Sequence, residues 1–216
     1  MFRTVLHFII ILLISVSCRD AKKYHDTPAV TPETAETPEE EILLFQQEMN
    51  RQFRDPESSP LPDRYRADFE GLDFYEPDTN FRVVARLERT PEALPFSMPT
   101  TTDRLALEVV YGVAYFELQG ETYQLEVYQE AGSADEADTS YLFLPFTDLT
   151  NGEETYSGGR YLDLDIPDGD SLLIDFNRAY NPYCVYNKKY SCPIVPKVNH
   201  LATAVRAGLK DFDPKK

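Results

Sequence analysis

Apolar and polar side chains alternate with a period of two at the start of the chain's central region: Phe81, Val83, Ala85 and Leu87 against Arg82, Val84, Arg86 and Glu88. Successive side chains on a strand point to opposite faces, so this pattern predicts a strand with one face buried. Segments 105–118 and 122–129 are rich in β-branched and aromatic residues and meet at Gln119-Gly120-Glu121, a hairpin turn. Segment 141–146 is a further strand, and 161–166 is expected to pair with 171–176 through Pro167-Asp168-Gly169-Asp170. Strands repeated at such short spacing restrict the chain to a mainly β fold, an antiparallel sandwich or a barrel-like domain.

One helix precedes the strands. Thr37 suits an N-cap, Pro38 the first helical position, and Glu40 completes a capping box. Ile42, Phe45, Met49 and Phe53 then fall on one face, and Pro56 ends the segment. The expectation is a single N-terminal amphipathic helix packed on the β domain.

The first eighteen residues have the layout of a bacterial lipoprotein signal. Arg3 is followed by an apolar run over 6–14, then Ser15-Val16-Ser17 and Cys18, after which the chain turns polar. This predicts removal of residues 1–17 and lipidation of Cys18, with an ordinary secretory signal or an uncleaved anchor as the alternative. Every ionisable side chain in 26–48 is acidic, so 18–36 reads as lipid anchor plus a disordered, self-repelling linker, and 37–216 as one globular domain. The implied location is the extracytoplasmic cell envelope, the chain being held to a membrane by its lipid.

With Cys18 assigned to lipid, Cys184 and Cys192 are left to form a disulfide in an oxidising compartment. Free buried thiols are the alternative. A zinc site is disfavoured because His200 is the only histidine beyond the tether, and a closed structural site needs four Cys or His ligands. The carboxylates of Asp163, Asp165, Asp168 and Asp170 invite a calcium reading, but Pro167, Asp168 and Ile174 stand where an EF-hand needs a ligand, glycine and glutamate. Ser157-Gly158-Gly159-Arg160 lacks the spacing and lysine of a phosphate loop. No metal or cofactor is expected. A net charge of −16 argues against nucleic acid, whose phosphates require a basic surface.

The densest run of polar and aromatic residues is Asp175-Phe176-Asn177-Arg178-Ala179-Tyr180-Asn181-Pro182-Tyr183-Cys184. Together with Tyr190-Ser191-Cys192-Pro193, Asn199-His200-Leu201, Leu144-Pro145-Phe146-Thr147-Asp148, Gly158-Gly159-Arg160-Tyr161-Leu162 and Ala207-Gly208, it resembles an uncharacterised bacterial family, the domain of unknown function 1684. The resemblance spans most of residues 40–210 and implies no activity.

On the residues alone, Arg160 and Arg178 are candidates for a pair that reads a carboxylate or phosphate, with Tyr161, Tyr180 and Tyr183 as walls and Asp175, Asn177 and Asn181 beside them. The alternative is that these polar groups serve their own loop. Glu154 and Asp175 are weak candidates for the acid and base of a carboxylate-dependent hydrolase. There is no Gly-x-Ser-x-Gly elbow. The reading reached is a membrane-anchored binding module for a small molecule, a small anionic ligand in particular, a glycan or an envelope protein partner, with a hydrolase or a scaffold subunit as alternatives.

Overall fold

The computed structural model describes residues 35–132 and 140–213; the expected signal, Cys18 and nearly all of the linker lie outside them. Helix α1 spans Pro38–Arg54 and starts as the sequence predicts: the Thr37 hydroxyl accepts from the Glu40 amide, and the Glu40 carboxylate accepts from the Thr37 amide. Ile42, Phe45, Met49 and Phe53 are all buried. A short helix α2, Asp63–Arg66, follows.

Seven antiparallel strands then form one curled sheet, a half-barrel: β1 Arg82–Arg89, β2 Phe96–Pro99, β3 Leu105–Leu118, β4 Glu121–Glu130, β5 Tyr141–Phe146, β6 Arg160–Asp165 and β7 Ser171–Asp175. The spatial order is β6-β5-β4-β3-β1-β7, with β2 laid against β3. Strands β3 and β4 close as expected, Leu118 opposite Glu121, with Gln119 and Gly120 both at positive φ as a type I′ turn requires.

The expected pairing of 161–166 with 171–176 is not formed. Strand β6 pairs with β5 and β7 pairs with β1, at opposite ends of the strand order. Only residues 166–170 join them, so the sheet must curl until its first and last strands approach. After β7 the chain turns back and Tyr180 exchanges both backbone hydrogen bonds with Tyr161, at 2.9 and 3.0 Å, covering the free edge of β6.

The two faces of the sheet are covered by different material, and along β1 and β7 one face stays open, with Val84 and Leu173 exposed. The inner face carries Ala85 and Leu87 of β1, Ala114, Phe116 and Leu118 of β3, Leu125 and Val127 of β4, and Leu162 and Leu164 of β6. The other face carries Met98, Ala106, Tyr128, Phe143 and Tyr161, and is covered by α1 together with the C-terminal loops. The layer opposite the sheet is therefore helix and irregular chain, not a second sheet.

A bulge in β3 serves this arrangement. Val110 faces Tyr128 and Gly112 faces Val127, leaving Tyr111 as the extra residue. Even-numbered residues accordingly pack on the outer layer before it (Ala106, Val110) and on the inner core after it (Ala114, Phe116). A Cβ on Gly112 would stand 2.7 Å from the Glu88 carbonyl, so only glycine permits β1 to approach there.

Strands β4 and β5 diverge beyond the Tyr128–Phe143 pair, and the fully buried Asn199 fills the gap. Its Oδ1 accepts from the Glu126 amide, and its Nδ2 donates to the carbonyls of Glu126 and Pro145, all at 2.8 Å. A side-chain amide thus substitutes for the missing ladder.

Candidate functional site

Most of the residues singled out in the sequence are buried supports, and Arg160 and the half-buried Arg178 do not form an exposed pair. Arg160 is fully buried. Its Nη2 donates to Asp148 Oδ2 at 2.9 Å and to the Val205 carbonyl at 2.8 Å; its Nη1 donates to the carbonyls of Ala207 and Leu209. Burial pulls its pKa down and Asp148 opposes this. Arg178 engages another element, its guanidinium lying 5.0 Å from the centre of the Phe45 ring on α1. The expected anion-reading pair is absent for a physical reason: a guanidinium sealed from water needs its donors satisfied locally, and Arg160 uses them on the C-terminal strap.

The tyrosines behave alike. Tyr161 donates its hydroxyl to the Pro193 carbonyl, Tyr180 donates to both oxygens of Asp163 at 2.9 and 3.0 Å, and Tyr183 accepts from Gln52 Nε2 at 3.1 Å. Asp163 is half-buried under the returning chain. Asp175 caps the turn Phe176–Arg178, accepting from the Asn177 amide at 3.0 Å and from its Nδ2 at 2.8 Å. Cys184 and Cys192 are neighbouring free thiols, the Cys184 amide donating to Cys192 Sγ at 3.1 Å. His200 is exposed, its Nδ1 3.0 Å from Thr147 Oγ1. Among the described residues, no group of three or more His, Cys, Asp or Glu side chains is placed to hold a metal ion, and no helix is long and apolar enough to cross a membrane.

An open cleft of about 480 Å³ lies where two irregular segments meet, lined by Phe74, Tyr75, Glu76, Pro77 and Asp78 on one wall and Arg206 and Lys210 on the other. The backbones are knitted: Tyr75 N–H donates to the Gly208 carbonyl and Lys210 N–H to the Asp73 carbonyl, both at 2.9 Å. Gly208 is at φ 78°, and a Cβ there would meet the Ala179 carbonyl at 2.6 Å.

The supports converge behind this cleft. Asn177 clamps Asp78, accepting from its amide and donating to its carbonyl at 2.9 Å each. Asn181 Nδ2 donates to the Lys210 carbonyl at 2.8 Å. Arg160 grips the carbonyls on either side of Arg206, at Val205 and Ala207, and that of Leu209. Both walls are therefore fixed from within by buried polar side chains.

Beside the cleft lining, Glu154 accepts the Tyr75 hydroxyl at 3.0 Å and is gripped by Arg206, whose Nη2 stands 2.7 Å from Oε1 and whose Nε is 3.0 Å from each oxygen. The Arg206 hydrogen bond holds the Glu154 carboxyl below the usual carboxylate range, against partial desolvation. Burial, then Glu154, pushes the Tyr75 hydroxyl up to about 12. Lys210 Nζ lies 3.2 Å from Asp73 Oδ1 and 5.2 Å from the centre of the Tyr75 ring. Each cation is thus already faced by a carboxylate, and Glu76 and Asp78 add to the anionic side. The site offers donors, acceptors and aromatic faces, with carboxylates outnumbering cations and so no surplus positive charge for an anion.

Tyr75, Arg206 and Lys210 carry no sign in the sequence, because irregular segments have no periodicity, and Asp148 enters only within the family-resembling run that ends β5. The terminal Ala207-Gly208 was the one local sign that this strap mattered. Glu154 and Asp175 engage different partners, Arg206 with Tyr75 and Asn177 respectively.

A family model described as "Protein of unknown function (DUF1684)" matches residues 67–210. The solution NMR structure of an uncharacterised protein of Haloarcula marismortui is 36% identical, with a TM-score of 0.62, over 79% of this chain and 92% of that one. No curated protein matches the chain.

Proposed function

The chain belongs to the DUF1684 family, which carries no assigned activity, and from that premise we propose that it is a lipid-anchored extracytoplasmic binding module holding a neutral polyhydroxylated ligand, such as a glycan fragment, in the Tyr75–Arg206 cleft. One observation carries the reading: Arg160, Asn177 and Asn181, buried and polar, all direct their hydrogen bonds at the two walls of that cleft. Rigid support of this kind is what an accurate binding surface requires. A sugar offers hydroxyls that both donate and accept, with apolar ring faces for Tyr75 and Phe74. The charge balance of the lining favours it over the small anion expected from an arginine pair.

The rest of the proposal follows the sequence: signal over 1–17, lipid on Cys18, a spacer over 18–36, one domain over 37–216, and a disulfide between Cys184 and Cys192. Catalysis by Glu154 is not favoured, because the Arg206 hydrogen bond lowers its pKa, which weakens that carboxylate as a proton donor and as a base alike.

Thermal denaturation of the full chain against a panel of oligosaccharides, organic acids and nucleotides tests the cleft. A ligand at 100 times its Kd adds about 2.7 kcal/mol. The expected result is a shift with an oligosaccharide that Tyr75→Ala abolishes and Arg178→Ala retains; a shift confined to anions, or one indifferent to Tyr75→Ala, refutes the reading. Membrane fractionation with Cys18→Ala tests the anchor, which predicts release of the variant into the soluble fraction.

A further inference from the structure

Cys184 and Cys192 differ in everything but their chemistry. Cys192 is wholly buried, and its backbone is fastened to the segment after β2: its amide donates to Thr101 Oγ1 at 3.1 Å and its carbonyl accepts from the Thr101 amide at 2.8 Å. Cys184 sits half-buried in the short turn Tyr183–Val185, next to a connecting loop whose Lys188 and Lys189 are exposed. The Cys184 amide donates to Cys192 Sγ and the two thiols are hydrogen-bonded to each other, so the sulfurs are neighbours in the folded chain.

We infer that Cys184 is the site at which an external disulfide reacts with this protein, and that Cys192 is the buried thiol that resolves the mixed disulfide. The inference rests on the proposed Cys184–Cys192 bridge and adds the order of its formation. An attacking group must reach the incoming sulfur, and only Cys184 has an open side. Its hydrogen bond with the Cys192 thiol, aided by Thr101 and by the amides of Cys184 and Val185, lowers the Cys184 pKa against desolvation; the same hydrogen bond and burial raise that of Cys192. A thiolate is the nucleophile in such exchange, so electrostatics and access select the same sulfur.

The step balances without a metal or cofactor. The Cys184 thiolate attacks one sulfur of the external disulfide, forming a mixed disulfide and releasing one thiolate, which takes up a proton. Cys192 then loses its proton and attacks Cys184 Sγ; the S–S bond to the external group breaks and a second thiolate leaves. The cysteine pair is oxidised by two electrons, and the external disulfide is reduced to two thiols.

The test uses the reduced full chain with oxidised glutathione in one arm and an oxidised Cys-x-x-Cys oxidoreductase in the other. Trypsin cuts at Lys188 and Lys189, placing the two cysteines on separate peptides. Wild type should close to the Cys184–Cys192 bridge. Cys192→Ser should accumulate an adduct on Cys184, forming roughly tenfold or more faster than any adduct on Cys192 in Cys184→Ser. The arm that gives the adduct identifies the source of the disulfide. Closure of wild type with the faster adduct on Cys192 overturns the order while leaving the bridge intact; failure of wild type to close removes the bridge itself.

Discussion

Arg160 shows how a single residue is read differently by sequence and by structure. An arginine beside Gly158-Gly159 and a tyrosine looks like a ligand reader, because nothing local reveals that residues 205–209 will fold across it. The alternative for the 175–181 run, that its polar groups serve their own loop, fits Asp175, whereas Asn177 and Asn181 reach across to Asp78 and Lys210. What no spacing could supply was the direction of that service, toward the walls of a cleft. The Arg160–Asp148 pair is fully buried, so removing one partner strands the other. Asp148→Ala is expected to cost about 3–5 kcal/mol, read from urea denaturation. Glu154 gives a pH signature. Its folded pKa is depressed by Arg206, so its contribution is present above the unfolded carboxyl value and is lost as pH falls through the folded one. The difference in melting temperature between wild type and Arg206→Ala should therefore be largest near neutral pH and shrink in acid.

Elements with a strong local code were the most legible. Helix α1 was readable to its cap because a capping box and a stripe of four apolar residues lie within one segment. Phe53 is fully buried, with ring centroids 4.8 Å from Tyr186 and 5.9 Å from Phe69. Phe53→Ala should cost about 3–5 kcal/mol. Thr37→Ala, which removes only the cap, should cost about 1 kcal/mol in the same equilibrium unfolding measurement. The β3–β4 hairpin was equally plain, since a two-residue turn with glycine fixes its own register. The pairing of β6 was misread because alternation identifies a strand and says nothing about its neighbour. That choice is made by the curl of the whole sheet. The bulge at Tyr111 left a fainter sign in Gly112, a glycine in the interior of a strand.

At the scale of the molecule, the mainly β reading holds, and the second layer is where sequence reasoning ran out. A face that alternates apolar residues requires a cover but does not specify one, and here the cover is α1 with long irregular segments tied by Asn, Asp and Arg side chains. The charge of −16 acts on the molecule as a whole. Like charges repel across a compact body, so stability should rise with added salt as the screening length falls from about 30 Å at 0.01 M to about 8 Å at 0.15 M. Thermal melts across a sodium chloride series check this, and a falling melting temperature would mean that the ion pairs outweigh the repulsion.

Helix α1 is the first element among the described residues and rests on the aromatic layer through side chains, whereas the strands behind it are joined by backbone ladders. A mechanical load applied through the N-terminus would accordingly peel the helix from its bed one contact at a time before any strand is strained. The sheet and the cleft behind it would stay unloaded, with α1 acting as the molecule's mechanical fuse.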